Sequence, residues 1–307
     1  MRWGDMRPSD NIEDRTGAGS GGGGFPIGGG GMRLGGGAII VIVIVSLLFG
    51  VNPLQLIGMM EGGGGPVAPA PAPMPPQSQS QPYAPPGPAR QATPASPAKD
   101  FVSRTLGDTE DVWTALFKAM GTRYEPPHLV LFERYTRSAC GTAQSAMGPF
   151  YCPGDQKVYL DTAFFEELSR RFGAPGDFAN AYVIAHEIGH HVQNQLGTMD
   201  KYDRAAQRLD TRQRNALSVR LELQADCYAG VWGYFAAKRN MLDPGDVDEG
   251  LRAAAAVGDD SIQRATQGRV VPDAFTHGSA AQRARWFKQG FTTGDPRSCN
   301  TFESKQP

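Results

Sequence analysis

The sequence has no surplus of charge of either sign. Thirty Lys and Arg stand against 31 Asp and Glu, a formal net charge of −1 over 307 residues. A basic stripe that could follow a phosphate backbone is missing, so nucleic acid is excluded as an expected partner. Cysteine is scarce. The four cysteines (Cys140, Cys152, Cys227 and Cys299) form no C-x-x-C pair, which argues against a zinc ribbon. Charge is absent altogether from Leu34 to Met60.

Glycine and proline are plentiful but uneven, and most of their excess lies before Lys99. That region cannot bury a core. Residues 1–33 mix charges with a glycine run and are expected to be disordered. Within the uncharged stretch, Ala38 to Val51 is densely apolar and β-branched. Residues 34–57 together are long enough to cross a bilayer of about 30 Å as a helix. A cleaved signal peptide fits less well, because Ala68-Pro69-Ala70 is followed by Pro71. Residues 34–57 therefore read as a transmembrane signal anchor, with the lipid bilayer as partner. Arg33 before the run and Glu61 after it orient the N-terminus to the cytoplasm. The remainder is then an extracytoplasmic domain on the inner membrane. Residues 58–99, rich in Pro, Ala, Gln and Ser, read as a linker with polyproline II character.

Residues 100–302 read as one α+β domain, mainly helical with a small β-sheet. His128 to Arg134 and Lys157 to Leu160 are expected strands, and helices are expected from Asp108, Thr162, Asp177, Asn215, Asp243-Pro244, Ser261 and Ser279. An outward-facing domain also suits disulfides. The expected pairing is Cys140 with Cys152 and Cys227 with Cys299, although sequence leaves the other two pairings and four reduced thiols open.

The chemistry concentrates in DFANAYVIAHEIGHHVQNQLG, Asp177 to Gly197. Asp177 suits an N-cap and Gly197 a C′ position. Phe178, Ala181, Ala185, Ile188, Val192 and Leu196 recur at helical spacing. His186 and His190, four apart, lie on one helix face and can offer two imidazoles to one metal ion. Glu187 lies about 60° around the helix from His190, within reach of a metal-activated water. His191 points about 100° away from His190 and is a poor ligand. A catalytic zinc usually takes a third protein ligand and keeps one open position. Position 196 is Leu, so the third-histidine variant of the motif fails. Glu222 in RLELQADCYAG is the best third ligand. Asp226, one turn later, can accept the free imidazole N–H of His186 or His190 and fix its tautomer. Two imidazoles and a carboxylate make zinc the default ion over manganese or cobalt.

HEIGHHVQ followed by ELQADCYAG resembles the gluzincin pattern. In finer detail the chain resembles the bacterial neutral zinc metallopeptidase family. The blocks MRWGDMRPSDNIEDRTG, CGTAQSAMGPFYCPGDQKVYLD, AYVIAHEIGHHVQ, NALSVRLELQADCYAGVW and FTHGSAAQRARWF carry the likeness. The resemblance implies a membrane-anchored zinc peptidase acting on a peptide or protein, with Glu187 as general base. It also implies that His277 faces the metal and donates to the oxyanion of the tetrahedral intermediate. Arg283 or Arg285 can support an acidic group near the site, while Tyr182 and Tyr228 read as core. Ala143 to Phe150 is a candidate edge for pairing with extended substrate. The rival reading is an inactive zinc-bearing scaffold of the envelope. The intact Glu187 argues against it, since a structural zinc site needs four protein ligands and no base. A zinc hydrolase of cell-wall peptides would use the same site.

Overall fold

A computed structural model describes residues 1–17 and 96–307. The structure is mainly helical with two small sheets. The expected anchor at 34–57 and nearly all of the linker lie outside the described residues. Among the described residues no helix is long and apolar enough to cross a membrane.

The N-terminal segment is the first correction. Residues 1–17 are folded onto the domain. Strand β1 (Ile12–Asp14) pairs in parallel with β2 (His128–Phe132), Ile12 opposite Leu129. Low apolar content suggested disorder, but this short arm needs no core of its own. It borrows one, with Met6 buried against the domain and the Trp3 ring edge-on to Phe101. Arg7 pairs with Glu110 and Asp111. Strands neighbouring in one sheet lie on one side of any membrane. The paired β1 is therefore incompatible with a single crossing at 34–57 that leaves the N-terminus in the cytoplasm and the domain outside.

Helix α1 (Pro97–Ala119) begins eleven residues before the expected start at Asp108. Ser96 is its N-cap, and Pro97 stands at the first position, where a missing N–H costs nothing. Asp108 is instead mid-helix and buried, accepting from Trp232 Nε1 at 2.8 Å and Arg239 Nη2 at 2.9 Å. The main sheet has the order β1-β2-β6-β5. In it β6 (Lys157–Asp161) runs parallel to β2, and β5 (Phe150–Cys152) runs antiparallel to β6. Between β2 and β5 lies a separate hairpin, β3 (Tyr135–Ser138) with β4 (Gly141–Gln144). The helices α2 (Ala163–Arg170), α3 (Asp177–Gln195), α4 (Thr198–Ala206), α5 (Thr211–Lys238), α6 (Asp246–Ala256), α7 (Asp259–Gln267) and α8 (Ala280–Thr293) follow.

The core is centred on α5, which packs against α3 and α8. Bare glycines set these distances. A Cβ on Gly290 would lie 1.9 Å from the Cys227 carbonyl oxygen, and one on Gly230 would lie 2.0 Å from that of Phe287. A Cβ on Gly189, inside the histidine motif, would lie 2.9 Å from the Ala225 oxygen. The backbones of α3 and α5 therefore meet close beside the histidines. Cys140–Cys152 and Cys227–Cys299 are both bonded, the expected pairing.

Candidate metal centre

Helix α3 carries the histidines and is fixed at both ends. Its N-cap is Gly176, at φ +130°, not Asp177. A side chain there would collide with Glu249, whose carboxylate accepts from Phe178 N at 3.2 Å and caps the helix from α6. Asp177 takes the first helical position and accepts from Trp3 Nε1 at 3.0 Å. Near the other end, His191 is buried and donates to the Glu125 carbonyl at 2.7 Å. Its Nδ1 meets the Tyr151 hydroxyl at 3.1 Å, which ties α3 to strand β5. Burial lowers the His191 pKa to about 4, outweighing the Glu125 contact, so the ring is a neutral fastener rather than a ligand.

His186, His190 and Glu222 come together as the sequence led us to expect. Their ligand atoms lie within 4.8 Å of one another, and all three side chains are buried. His186 Nε2 is 3.3 Å from Glu222 Oε2, and His190 Nε2 is 3.6 Å from Glu222 Oε1. Bonds of about 2.1 Å to a tetrahedral ion put neighbouring donors about 3.4 Å apart, so the set fits zinc. The opposite ring nitrogens support the same reading. His186 Nδ1 faces Asp226 Oδ1 at 2.9 Å, and His190 Nδ1 faces Gln193 Oε1 at 2.9 Å. Acceptors at both Nδ1 atoms place protons there and turn the Nε2 lone pairs toward the shared point.

The electrostatics are those of a site built to hold positive charge. Burial alone would lower the His186 pKa. The charge and hydrogen bond of Asp226, with Glu222 beside it, outweigh burial and raise it to about 9. Burial pushes the Glu222 carboxyl up, but the imidazoles pull it well below the usual range. A cation entering between them takes the place of a proton.

Asp226 serves His186 only, not His190. It is fully buried, and Arg283 forks onto it, Nε to Oδ2 at 2.8 Å and Nη2 to Oδ1 at 2.9 Å. The Tyr182 hydroxyl donates to the same carboxylate and accepts from Arg283 Nη2 at 3.1 Å. Tyr182 is therefore more than core, and Arg283 rather than Arg285 is the supporting arginine. Arg285 instead donates to the Gln306 carbonyl near the chain end. Tyr182 lies four residues before His186, on its helix face, which was a usable signal. Gln193 was also within reach, three residues after His190.

Glu187 is buried, and among the described residues its carboxylate has no hydrogen-bond partner. Burial raises its pKa, against the pull of the two histidines. His277 is buried too. Its Nδ1 lies 3.0 Å from Asp259 Oδ1, while its buried Nε2 has no partner among the described residues. Asp259 also accepts the backbone N–H groups of Thr276, His277 and Gly278 at 2.7, 2.7 and 3.1 Å. Sequence reasoning missed it, because nothing in its spacing to His277 announces a loop wrapped around one carboxylate. Burial alone would lower the His277 pKa, but the Asp259 charge and hydrogen bond raise it. The His277 charge in turn contributes to holding the Glu222 carboxyl down.

The main sheet has β1 and β5 as its edge strands, and β5, whose three residues are buried, is tied to α3 through Tyr151 and His191. The expected edge at Ala143 to Phe150 meets β5 only at Phe150. Ala143 is buried inside the β3–β4 hairpin.

Comparison with known proteins gives relatives and a family. The Escherichia coli strain K12 protein YpfJ is 45% identical over 307 residues, which cover 98% of this chain and 99% of the relative. The Mycobacterium tuberculosis strain H37Rv protein Rv2575 is 44% identical over 225 residues, 70% of this chain and 75% of the relative. No solved structure matches. Residues 1–302, which span the β1 arm, the buried His-His-Glu set and the disulfide-held tail, match one family over their whole length. The chain belongs to the putative neutral zinc metallopeptidase family.

Proposed function

We propose that the protein is a zinc-dependent peptidase. The observation that carries this reading is the combination of three buried ligands with a buried Glu187 next to one of them, its carboxylate without a hydrogen-bond partner among the described residues. A purely structural site has no use for that glutamate. Zinc, when bound, polarises the scissile carbonyl and acidifies the attacking water. His186, His190 and Glu222 hold the ion. Glu187 takes the proton of the water and delivers it to the leaving amine, and its raised pKa suits it to both halves of that transfer. His277, whose Nδ1 is held by Asp259 and whose buried Nε2 has no partner among the described residues, donates to the negative charge that develops on the carbonyl oxygen. An extended peptide pairs along β5, an edge strand of the main sheet.

A peptide-library digestion with and without chelator tests activity, and metal analysis tests the ligand set. Glu222→Ala is expected to lose zinc. His277→Phe is expected to keep zinc and lose about 10²-fold in kcat with KM little changed. A wild-type chain that holds zinc yet cleaves nothing would favour the scaffold reading.

We also place the domain outside the cytoplasm, a reading supported by its two disulfides. Residues 1–17 then belong on the same side. Labelling with an impermeant thiol reagent in intact cells tests this at Asp10→Cys and Arg269→Cys. Both labelled is the expected result. Label at position 269 alone would mean that β1 is not paired in the cell.

A further inference from the structure

Resting on the metal-site reading above, we propose that the Cys227–Cys299 disulfide acts on the metal centre. It holds the C-terminal tail so that a tail carbonyl fixes the tautomer of ligand His190. Gln193 and Gln224 are the positioning residues between them.

The connection is a chain of hydrogen bonds with one possible direction. It ends on the backbone carbonyl of Cys299, which can only accept. Gln224 Nε2 donates to that oxygen at 3.0 Å. Gln224 must therefore turn its own amide oxygen inward, where it accepts from Gln193 Nε2 at 3.1 Å. Gln193 in turn presents its oxygen to His190 Nδ1 at 2.9 Å. The imidazole must carry its proton on Nδ1 and leave Nε2 free. A second carbonyl, Leu221 O, accepts from Gln193 Nε2 at 2.7 Å and reinforces the same direction from within α5.

The Cys299 carbonyl is held in place from both sides. The disulfide joins Cys299 to Cys227, one residue beyond Asp226. Arg220 donates to the carbonyls of Thr301, Phe302 and Ser304, and Thr301 Oγ1 returns a bond to the Arg220 carbonyl at 2.6 Å. Cys299 and Thr301 are fully buried. Without the disulfide the tail keeps this polar clamp and, further on, the bonds of Arg285 and Gln282 to the Gln306 and Pro307 carbonyls, none of which touches Cys299. The Gln224 amide loses its fixed acceptor, and only Leu221 still orients Gln193. Cys140–Cys152 links the β3–β4 turn to β5 and makes no such connection, so it is a built-in control.

The test is zinc affinity of the full-length chain, measured by competition with a chromophoric chelator. Cobalt-loaded protein gives a second readout, since its visible spectrum reports the ligand set. Gln193→Met, which cuts the chain at the ligand, is expected to weaken zinc binding by about 10- to 100-fold. Gln224→Met and the double variant Cys227→Ser/Cys299→Ser, which spare the Leu221 contact, are expected to weaken it by about tenfold. All three should alter the cobalt spectrum. Cys140→Ser/Cys152→Ser should leave affinity and spectrum as in wild type. Gln224→Met leaves disulfide and tail in place, so it decides the matter even if the cysteine variant does not fold. Wild-type affinity and spectrum in Gln224→Met would overturn the proposal. So would equal losses from the two cysteine pairs. A wild-type chain that binds no zinc would instead overturn the metal reading itself.

Discussion

The two ligand histidines sit on one helix, one turn apart, yet they are backed by opposite kinds of chemistry. His186 leans on a buried ion pair, Asp226 with Arg283, completed by Tyr182. His190 leans on neutral amides that end at backbone carbonyls. Both arrangements fix the same tautomer, but they do so at different cost. A buried carboxylate raises the basicity of its imidazole and demands a cation to compensate its own desolvation. Amides carry no such demand and take their direction from the backbone they touch. The charged arm is thus self-contained within α3, α5 and α8, while the neutral arm extends to Cys299 in the C-terminal tail.

That difference can be broken from either side. The largest effect should come from Arg283→Met, which leaves Asp226 buried without its cation. Loss of one partner of a buried pair costs about 3–5 kcal/mol, which chemical denaturation would measure. A loss under about 1 kcal/mol would mean that the arm does not depend on the pair. Asp226→Asn keeps the shape and removes the charge. Zinc affinity should fall by about 10- to 100-fold in competition with a chelator, with His186 the ligand affected. Gly189→Ala acts on both arms at once by pressing α3 away from α5. Overpacking of this kind costs about 1–3 kcal/mol in thermal or denaturant unfolding. An unchanged midpoint would show that the close approach at Ala225 is not required.

The site was legible in the sequence where its geometry is local. Four-residue spacing put His186 and His190 on one face, and the same rule put Glu222 and Asp226 on one face of the next long helix. The glutamine arm was less legible, because an amide three residues from a ligand resembles ordinary helix surface. Asp259 was not legible at all, since its bonds to His277 and its neighbours depend on how a loop folds back. Helix α3 announced itself by apolar spacing and α8 by its cap, Ser279, whose side chain accepts from Gln282 N. The start of α1 did not, because Asp108 resembles a cap and is in fact a buried partner for Trp232 and Arg239. The N-terminal arm failed for a related reason. Composition measures whether a segment can bury a core of its own, and this one docks onto a core made elsewhere.

The central claim is that Glu187 is a base beside a metal and not part of its holder. Glu187→Gln in the full-length chain, assayed on a peptide library with zinc content measured on the same sample, tests it most directly. The account predicts full zinc occupancy with turnover reduced by at least about 10²-fold. Turnover at the wild-type rate, or loss of zinc together with activity, would contradict it.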